Sequence, residues 1–319
     1  MQTVAQADRA RGLSYALTAY TLWGGIFPLY MKLLDHLSPF EIVAHRIIWA
    51  IPFAALILSR QHLLRDVGCH FRNPRTLALA ALTATLISVN WGTYVYAIVA
   101  GHAVAAALGY YINPLVNVLL AAIFLGERPS RLQSVAILLA AIGVGVMTVK
   151  AGGLPWISLV LAGSFGTYGL LRKTVPVGAS EGFFLEVVIL FIPSLLMLWL
   201  LPGERHFGAN GWETALLVGA GPLTAVPLIL FAAGARLLSF ATVGILQYIV
   251  PTLLVLIAVL VFGEPFDLWK LVAFAFIWSA LAIYSVTLFR RRRQPNASPA
   301  ASKAPAAAVG TTHGAAPQR

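Results

Sequence analysis

Between Pro39 and Leu58 an apolar run is broken by three ionisable residues, Glu41, His45 and Arg46, the last two the deepest. Such a side chain in hydrocarbon costs on the order of 3 kcal/mol on insertion scales, so each needs a partner or a task. Glu41 lies four residues before His45 on the same helical face and can pair with His45 or with Arg46. Three chemistries fit these residues. They can form a structural ion pair that fastens one helix to its neighbours. Glu41 and His45 can act as an acid/base pair on a lipid-linked substrate at a membrane face. Arg46, about 10 Å deep by the helical rise, can face a cavity and attract an anionic or carbonyl-bearing group.

A second set of polar residues recurs at helical spacing. Tyr110, Asn113 and Asn117 fall on one stripe at i, i+3 and i+7, and Pro114 removes a helical hydrogen bond and frees the carbonyl of Tyr110, which makes a hinge. Further on, Gln247 and Tyr248 precede Pro251, a second hinge whose missing bond frees the carbonyl of Gln247. Asn90, Trp91 and Tyr94 can complete a polar and aromatic lining. These side chains suit a substrate pathway, and the amides also suit interhelical bridges. Glu186 lies five residues after Glu181, where Arg172 or Lys173 can neutralise it; Glu186 or His45 can also couple protons.

The elements that position these residues follow from composition. The chain has 319 residues, 59% hydrophobic and 10% charged, with mean hydropathy +0.83, against about 25% charged in soluble domains. Long continuous apolar stretches must be helices, because backbone groups in lipid pair within the segment. Charges, Pro and Gly divide the sequence into ten expected spans near 13–31, 40–59, 76–99, 103–125, 131–149, 154–171, 181–201, 212–235, 239–262 and 267–288. A net charge of +11 raises the question of nucleic acid, but the Lys and Arg residues sit in short loops of one parity. That set holds Arg60, Arg65, Arg72, Arg75, Arg128, Arg131, Arg172 and Arg290 to Arg293 among others, whereas the opposite loops hold Lys32, Lys150, Arg205 and Lys270. By the bias of basic loops toward the cytoplasm, both termini are expected there, with no cleaved leader. Cys69 is the single cysteine, so no intramolecular disulfide can form. The Ala/Pro/Ser-rich tail after Arg293 is expected to be disordered, and the Arg290 to Arg293 run to anchor the last helix at anionic headgroups.

The chain also repeats itself. Tyr111-Ile112-x-Pro114 falls on Tyr248-Ile249-x-Pro251 at an offset of 137 residues, and Gly126-Glu127 falls on Gly263-Glu264. At offsets near 140, Glu41 meets Glu181. Two copies of five spans, 12–150 and 151–289, with a tail at 290–319, require the second copy to enter the membrane inverted, because five is odd. Paired broken helices in inverted halves point to a central transport site. Glu127 and Glu264 read as caps or loop anchors, and Ala141-x-x-x-Gly145 and Gly163-x-x-x-Thr167 as close helix contacts.

These residues carry a resemblance. Trp23-Gly24, Glu41-Ile42-x-x-His45-Arg46-x-x-Trp49, Asn90-Trp91, the run Leu108 to Asn117, Leu125-Gly126-Glu127-Arg128, Gln247-Tyr248-Ile249-x-Pro251-Thr252 and Phe274 to Trp278 resemble the EamA group of the drug/metabolite transporter superfamily, and within it the RarD permeases. The likeness covers about 12 to 289. It implies an all-α polytopic membrane protein of the bacterial inner membrane and a permease for small metabolites or drug-like solutes, with chloramphenicol-related efflux as one expectation.

The chain lacks a G-x-x-x-x-G-K-[ST] loop, an H-E-x-x-H pair and a G-x-S-x-G elbow, so ATP hydrolysis and the usual metal and serine hydrolase chemistries have no motif here. No cofactor and no metal site are expected. The expected partners are a small-molecule substrate and the lipid bilayer, not nucleic acid, and oligomeric state is not legible. The competing readings are an intramembrane enzyme, which would place its site in one half, and a channel or scaffold without turnover.

Overall fold

The computed structural model describes residues 2–124, 126, 129–151, 153–172, 177–200, 206–238 and 246–293. Every regular element among them is helical. The first helix, α1 (Gln2–Thr21), passes through a π-helical turn (Leu22–Ile26) into α2 (Phe27–Lys32). There follow α3 (Pro39–Arg60), the short α4 (Leu64–His70), α5 (Pro74–Val99), α6 (Ala103–Phe124), α7 (Arg131–Ala151), α8 (Trp156–Arg172), α9 (Ala179–Leu200), α10 (Gly211–Leu237), α11 (Ile249–Leu260) and α12 (Leu268–Arg293). In seven places, on α3, α5, α6, α7, α9, α10 and α12, a helix has the length and apolarity to cross a membrane; α11 is apolar but shorter. The other two expected spans coincide with the helix interrupted at Leu22–Ile26 and with the 17-residue α8. The bounds of α11 differ from the expected 239–262: residues 239–245 lie outside the described set, Gln247 and Tyr248 form a turn, and the helix starts at Ile249.

The helix ends follow local chemistry. Asn73 accepts from the N–H groups of Arg75 and Thr76 at 3.1 and 3.2 Å, with Pro74 as the first helical residue of α5. Asn210 caps α10 through the Glu213 N–H at 2.7 Å. Gly126 and Gly263, the two repeat-related glycines, follow α6 and α11 at φ +66° and +69°, a left-handed conformation that disfavours any residue with a Cβ. Glu264 accepts from the first N–H groups of α6, Ala103 at 2.5 Å and Val104 at 2.9 Å, and so caps a helix 160 residues away. Glu127, its repeat counterpart, lies outside the described residues, as do Arg128, Lys173, Arg205 and the tail 294–319; α12 itself continues through Arg293.

The most extensive packing joins α7 to α12, α6 to α8, α3 to both α9 and α10, and α1 to α10. Glycines let backbones approach at these crossings. A Cβ on Gly221 would stand 2.3 Å from the backbone of Trp49, one on Gly24 2.8 Å from Val250, and one on Gly143 2.9 Å from the carbonyl of Ala273. The expected close contacts at Gly145 and Gly163 are not made, since a Cβ on either would meet nothing of a neighbouring helix within 4 Å. Gly143, two residues from Gly145 and so on another face of α7, is the one turned to α12.

Contacts divide the bundle into two ends. At one, Leu58, Val67, Ala80 and Leu185 form a small core, Arg172 meets Glu186, and Gly12 abuts Leu237. This end carries Arg60, Arg72, Arg75 and Arg172 and is the basic end. At the far end Lys32 lies over Phe262, Lys150 over Trp269, and Glu41 meets His206. Exposed Trp156, Trp199, Trp212 and Trp269 gather at helix ends there, as interfacial aromatics do in membrane proteins.

Candidate functional site: a cavity between the helices

Arg46 sits seven residues into α3 and is 5% exposed. Its guanidinium is held between two rings, 4.5 Å from the centroid of Phe27 and 4.4 Å from that of Trp91, a stacking that suits this weakly hydrated cation. Nε donates to Thr224 Oγ1 at 2.7 Å, and that hydroxyl donates onward to the carbonyl of Ala220 at 2.8 Å. Three rigid elements therefore fix the group. Its Nη1 is buried and has no hydrogen-bond partner, and among the described residues no carboxylate lies within ion-pair distance of it.

Arg46 lines a cavity of about 680 Å³. Asn90, Trp91 and Tyr94 on α5, Tyr110 and Asn113 on α6, and Gln247 before α11 line it too, with Pro251. Asn90 is anchored through Nδ2 to the carbonyl of Leu161 at 3.0 Å and to Ser164 Oγ at 3.1 Å, and accepts a long bond from the Tyr110 hydroxyl at 3.5 Å. Tyr94 packs between Phe27 and Tyr110, with centroids 5.7 and 5.8 Å away. The Tyr94 hydroxyl and the Asn113 Oδ1 are buried without partners. Buried polar atoms are normally paired, so these three orphans, with Gln61 Oε1 a fourth in the same cavity, mark a place where a polar ligand fits.

The cavity runs from the Arg46 layer to the basic end, where Gln61, Arg172 and Ser180 line it. Near that mouth the Tyr168 hydroxyl donates to Glu186 Oε2 at 3.1 Å and Arg172 Nε stands 3.8 Å from Oε1. Glu186 is thus neutralised by Arg172, one of its two expected partners. The far end is closed. His206 reaches Glu41 through its backbone N–H, 3.0 Å from Oε1, and its ring, 2.9 Å from Oε2. His36 meets Glu213 at 3.1 Å, and the Tyr30 hydroxyl donates to the carbonyl of Leu216 at 2.5 Å.

Several expectations change here. Glu41 pairs with neither His45 nor Arg46: its two oxygens are taken by one residue of the segment that enters α10. His45 does not line the cavity but stacks on Phe207 at 4.7 Å, because the face it shares with Glu41 is covered by that same segment. Asn117 and Tyr248 also stay out of the lining; Asn117 is exposed with its amide oxygen against Gly166. The carbonyl of Gln247 is not left free, since the Val250 N–H donates to it at 3.2 Å. That bond is available because the helix starts just beyond it. Thr224, Phe27, Tyr168 and His206 were not singled out in sequence. Thr224 had a faint signal, a hydroxyl between Pro222 and Pro227 in an apolar helix; Phe27 had none.

Residues 10–149 match the model of the EamA-like transporter family. An uncharacterized transporter of Pseudomonas aeruginosa is 45% identical over 300 residues, 91% of this chain and 98% of the relative. The chain belongs to the RarD family of EamA-like transporters. A second P. aeruginosa member of the family, named chloramphenicol-sensitive protein RarD, is 35% identical over 278 residues, 86% of this chain and 93% of its own length. A crystal structure at 19% identity covers 89% of this chain with TM-score 0.59 and shows a shared fold. Family and helices together make this a multi-pass membrane transporter.

Proposed function

We propose that the chain is a secondary transporter that moves a small organic solute across the bacterial inner membrane by alternating access between two inverted five-helix halves, 12–150 and 151–289. The observation that carries this is the cavity, which draws its wall from both halves, is sealed at one end and reaches the other.

The packing supports the inverted repeat. Exchanging each helix for its counterpart in the other half turns the contact of α3 with α10 into that of α9 with α5, the contact of α1 with α10 into that of α8 with α5, and the contact of α6 with α8 into that of α11 with the Leu22–Ile26 turn; all of these occur. The contacts of α7 with α12, α3 with α9 and α6 with α11 map onto themselves. Glu41 and Glu181, each the third residue of its helix, both face a histidine from the connection after the equivalent helix of the other half, His206 at 2.9 Å and His70, the last residue of α4, at 3.6 Å. These latches stand at opposite ends. The tighter one closes the far end, so the cavity faces the basic end, which we assign to the cytoplasm with both termini. The Glu41 and His45 acid/base reading loses its support with Glu41 engaged elsewhere.

Counterflow in liposomes containing the purified protein, screened over amino acids, nucleosides, organic anions and chloramphenicol, tests this. Saturable flux, lost in Arg46→Ala and Asn113→Ala while both variants stay folded, is expected; a folded, inserted protein with no flux of any class would contradict it.

A further inference from the structure

We infer that the solute is an organic monoanion whose carboxylate docks on Arg46 and whose body is flat and apolar. The inference rests on the carrier reading above and narrows its substrate class.

Arg46 is the starting point. A charge this deep is strongly unfavourable unless paired, and the protein supplies no described carboxylate near it; the guanidinium lies against the rings of Phe27 and Trp91, and Nε is committed to Thr224. What remains is an Nη1 edge aimed at no protein acceptor. A carboxylate is the acceptor that best suits a guanidinium edge. Tyr94 flanks the site with an unpaired hydroxyl, which can donate to the carboxylate, and Asn113 with an unpaired amide oxygen, which can accept from an N–H or O–H on the body of the solute.

The number of charges is set by the rest of the lining. No acidic residue lines the cavity among the described residues, and the other lining guanidinium, Arg172, already faces Glu186. One positive charge is uncompensated, so one negative charge is wanted. A cation would meet Arg46 with nothing to offset the repulsion, and a neutral solute would leave it unpaired. Away from these polar groups the wall is largely aromatic, with Trp23, Phe165, Phe183 and Phe231 among its members. That wall rewards a planar hydrocarbon body and gives no partners to a polyhydroxylated one.

Three probes of one shape and different charge test the proposal on the purified full chain: phenylacetate, phenylacetamide and phenethylamine. Phenylacetate should bind saturably and about tenfold or more tighter than the amide, the size expected of a charge-assisted bond, with the amine weakest. Arg46→Gln should remove the difference between acid and amide; if that variant does not fold, the three-probe order in the native protein decides alone. Absence of phenylacetate binding, an amide that binds as tightly, or a preference for the amine overturns the proposal. Counterflow run in parallel separates this from the carrier reading. Charge-selective binding with no flux of any solute upholds the site and sinks the carrier; flux of neutral or cationic solutes without preference for phenylacetate upholds the carrier and sinks the anion site.

Discussion

Glu41 and His206 stand 165 residues apart and are joined twice, backbone N–H to Oε1 at 3.0 Å and ring Nδ1 to Oε2 at 2.9 Å. The carboxylate lies in the first turn of α3, where the helix dipole also favours it. One residue thus ties the start of α3 to the segment that enters α10 and closes the far end of the cavity.

Glu41→Gln should loosen that closure. A hydrogen bond to a charged group contributes about 1.5–3 kcal/mol, so the amide variant should show faster deuterium uptake across His206 to Thr214, by tenfold or more at the amides that open with this segment. Glu181→Gln should leave this segment unchanged and act at the other end. Equal uptake in Glu41→Gln and the native protein would show that the pair does not hold the segment.

Thr224→Val removes the acceptor of Arg46 Nε and keeps the side-chain shape. The expected cost is about 1–3 kcal/mol, read as a fall in the midpoint of thermal unfolding in detergent. Thr224→Ser keeps the hydroxyl and should recover most of the loss. If valine and serine behave alike, the hydrogen bond is not what positions the guanidinium.

Gly221→Ala would push a methyl group onto the backbone of Trp49, 2.3 Å away, and force α3 from α10 at a cost of about 1–3 kcal/mol or more. Gly145→Ala and Gly163→Ala meet nothing within 4 Å and should be neutral or stabilise by about 0.5–1 kcal/mol, as Gly to Ala does inside a helix. Unfolding of the three variants side by side checks both directions.

Glu264→Ala leaves the Ala103 and Val104 N–H groups without their acceptor and should cost about 0.5–2 kcal/mol, the usual penalty for losing a helix cap. Hydrogen exchange at the start of α6 reads the effect locally. Unchanged protection at those two amides would rule out the cap.

Helices and their ends were legible in the sequence because they rest on local chemistry. Apolar runs give helices, and the glycine of each Gly-Glu pair ends its helix in the left-handed conformation, whereas the Asn73-Pro74 cap puts the start of α5 two residues before the expected 76. Pro114 and Pro251 carry the self-similarity in the sequence, whereas Glu264, expected to close its own helix as a cap or loop anchor, caps the start of α6 instead. The cavity was partly legible: Arg46, Asn90, Trp91, Tyr94, Tyr110, Asn113 and Gln247 line it as expected. What failed was partner choice. Spacing puts Glu41 and His45 on one face but does not say that the loop at His206 and Phe207 covers that face. The stripe from Tyr110 to Asn117 likewise has the right angle, but Asn117 lies two turns along, outside the wall. Long-range contacts of this kind depend on how helices pack, which periodicity does not encode.

The most direct test of alternating access is two-sided labelling in a Cys69→Ser background. A cysteine at Phe231 lies in the cavity wall and one at Trp49 lies behind the Glu41 latch beside Phe207; each is exposed to a membrane-impermeant maleimide from either side of oriented vesicles, with Glu41 intact or changed to Gln. The Phe231 site should label from the basic end in the otherwise native protein, and cutting the latch should lower that labelling while raising labelling at Trp49 from the far end. Both sites rising together would indicate an open channel, and no change at either would contradict a carrier that exchanges two closed ends.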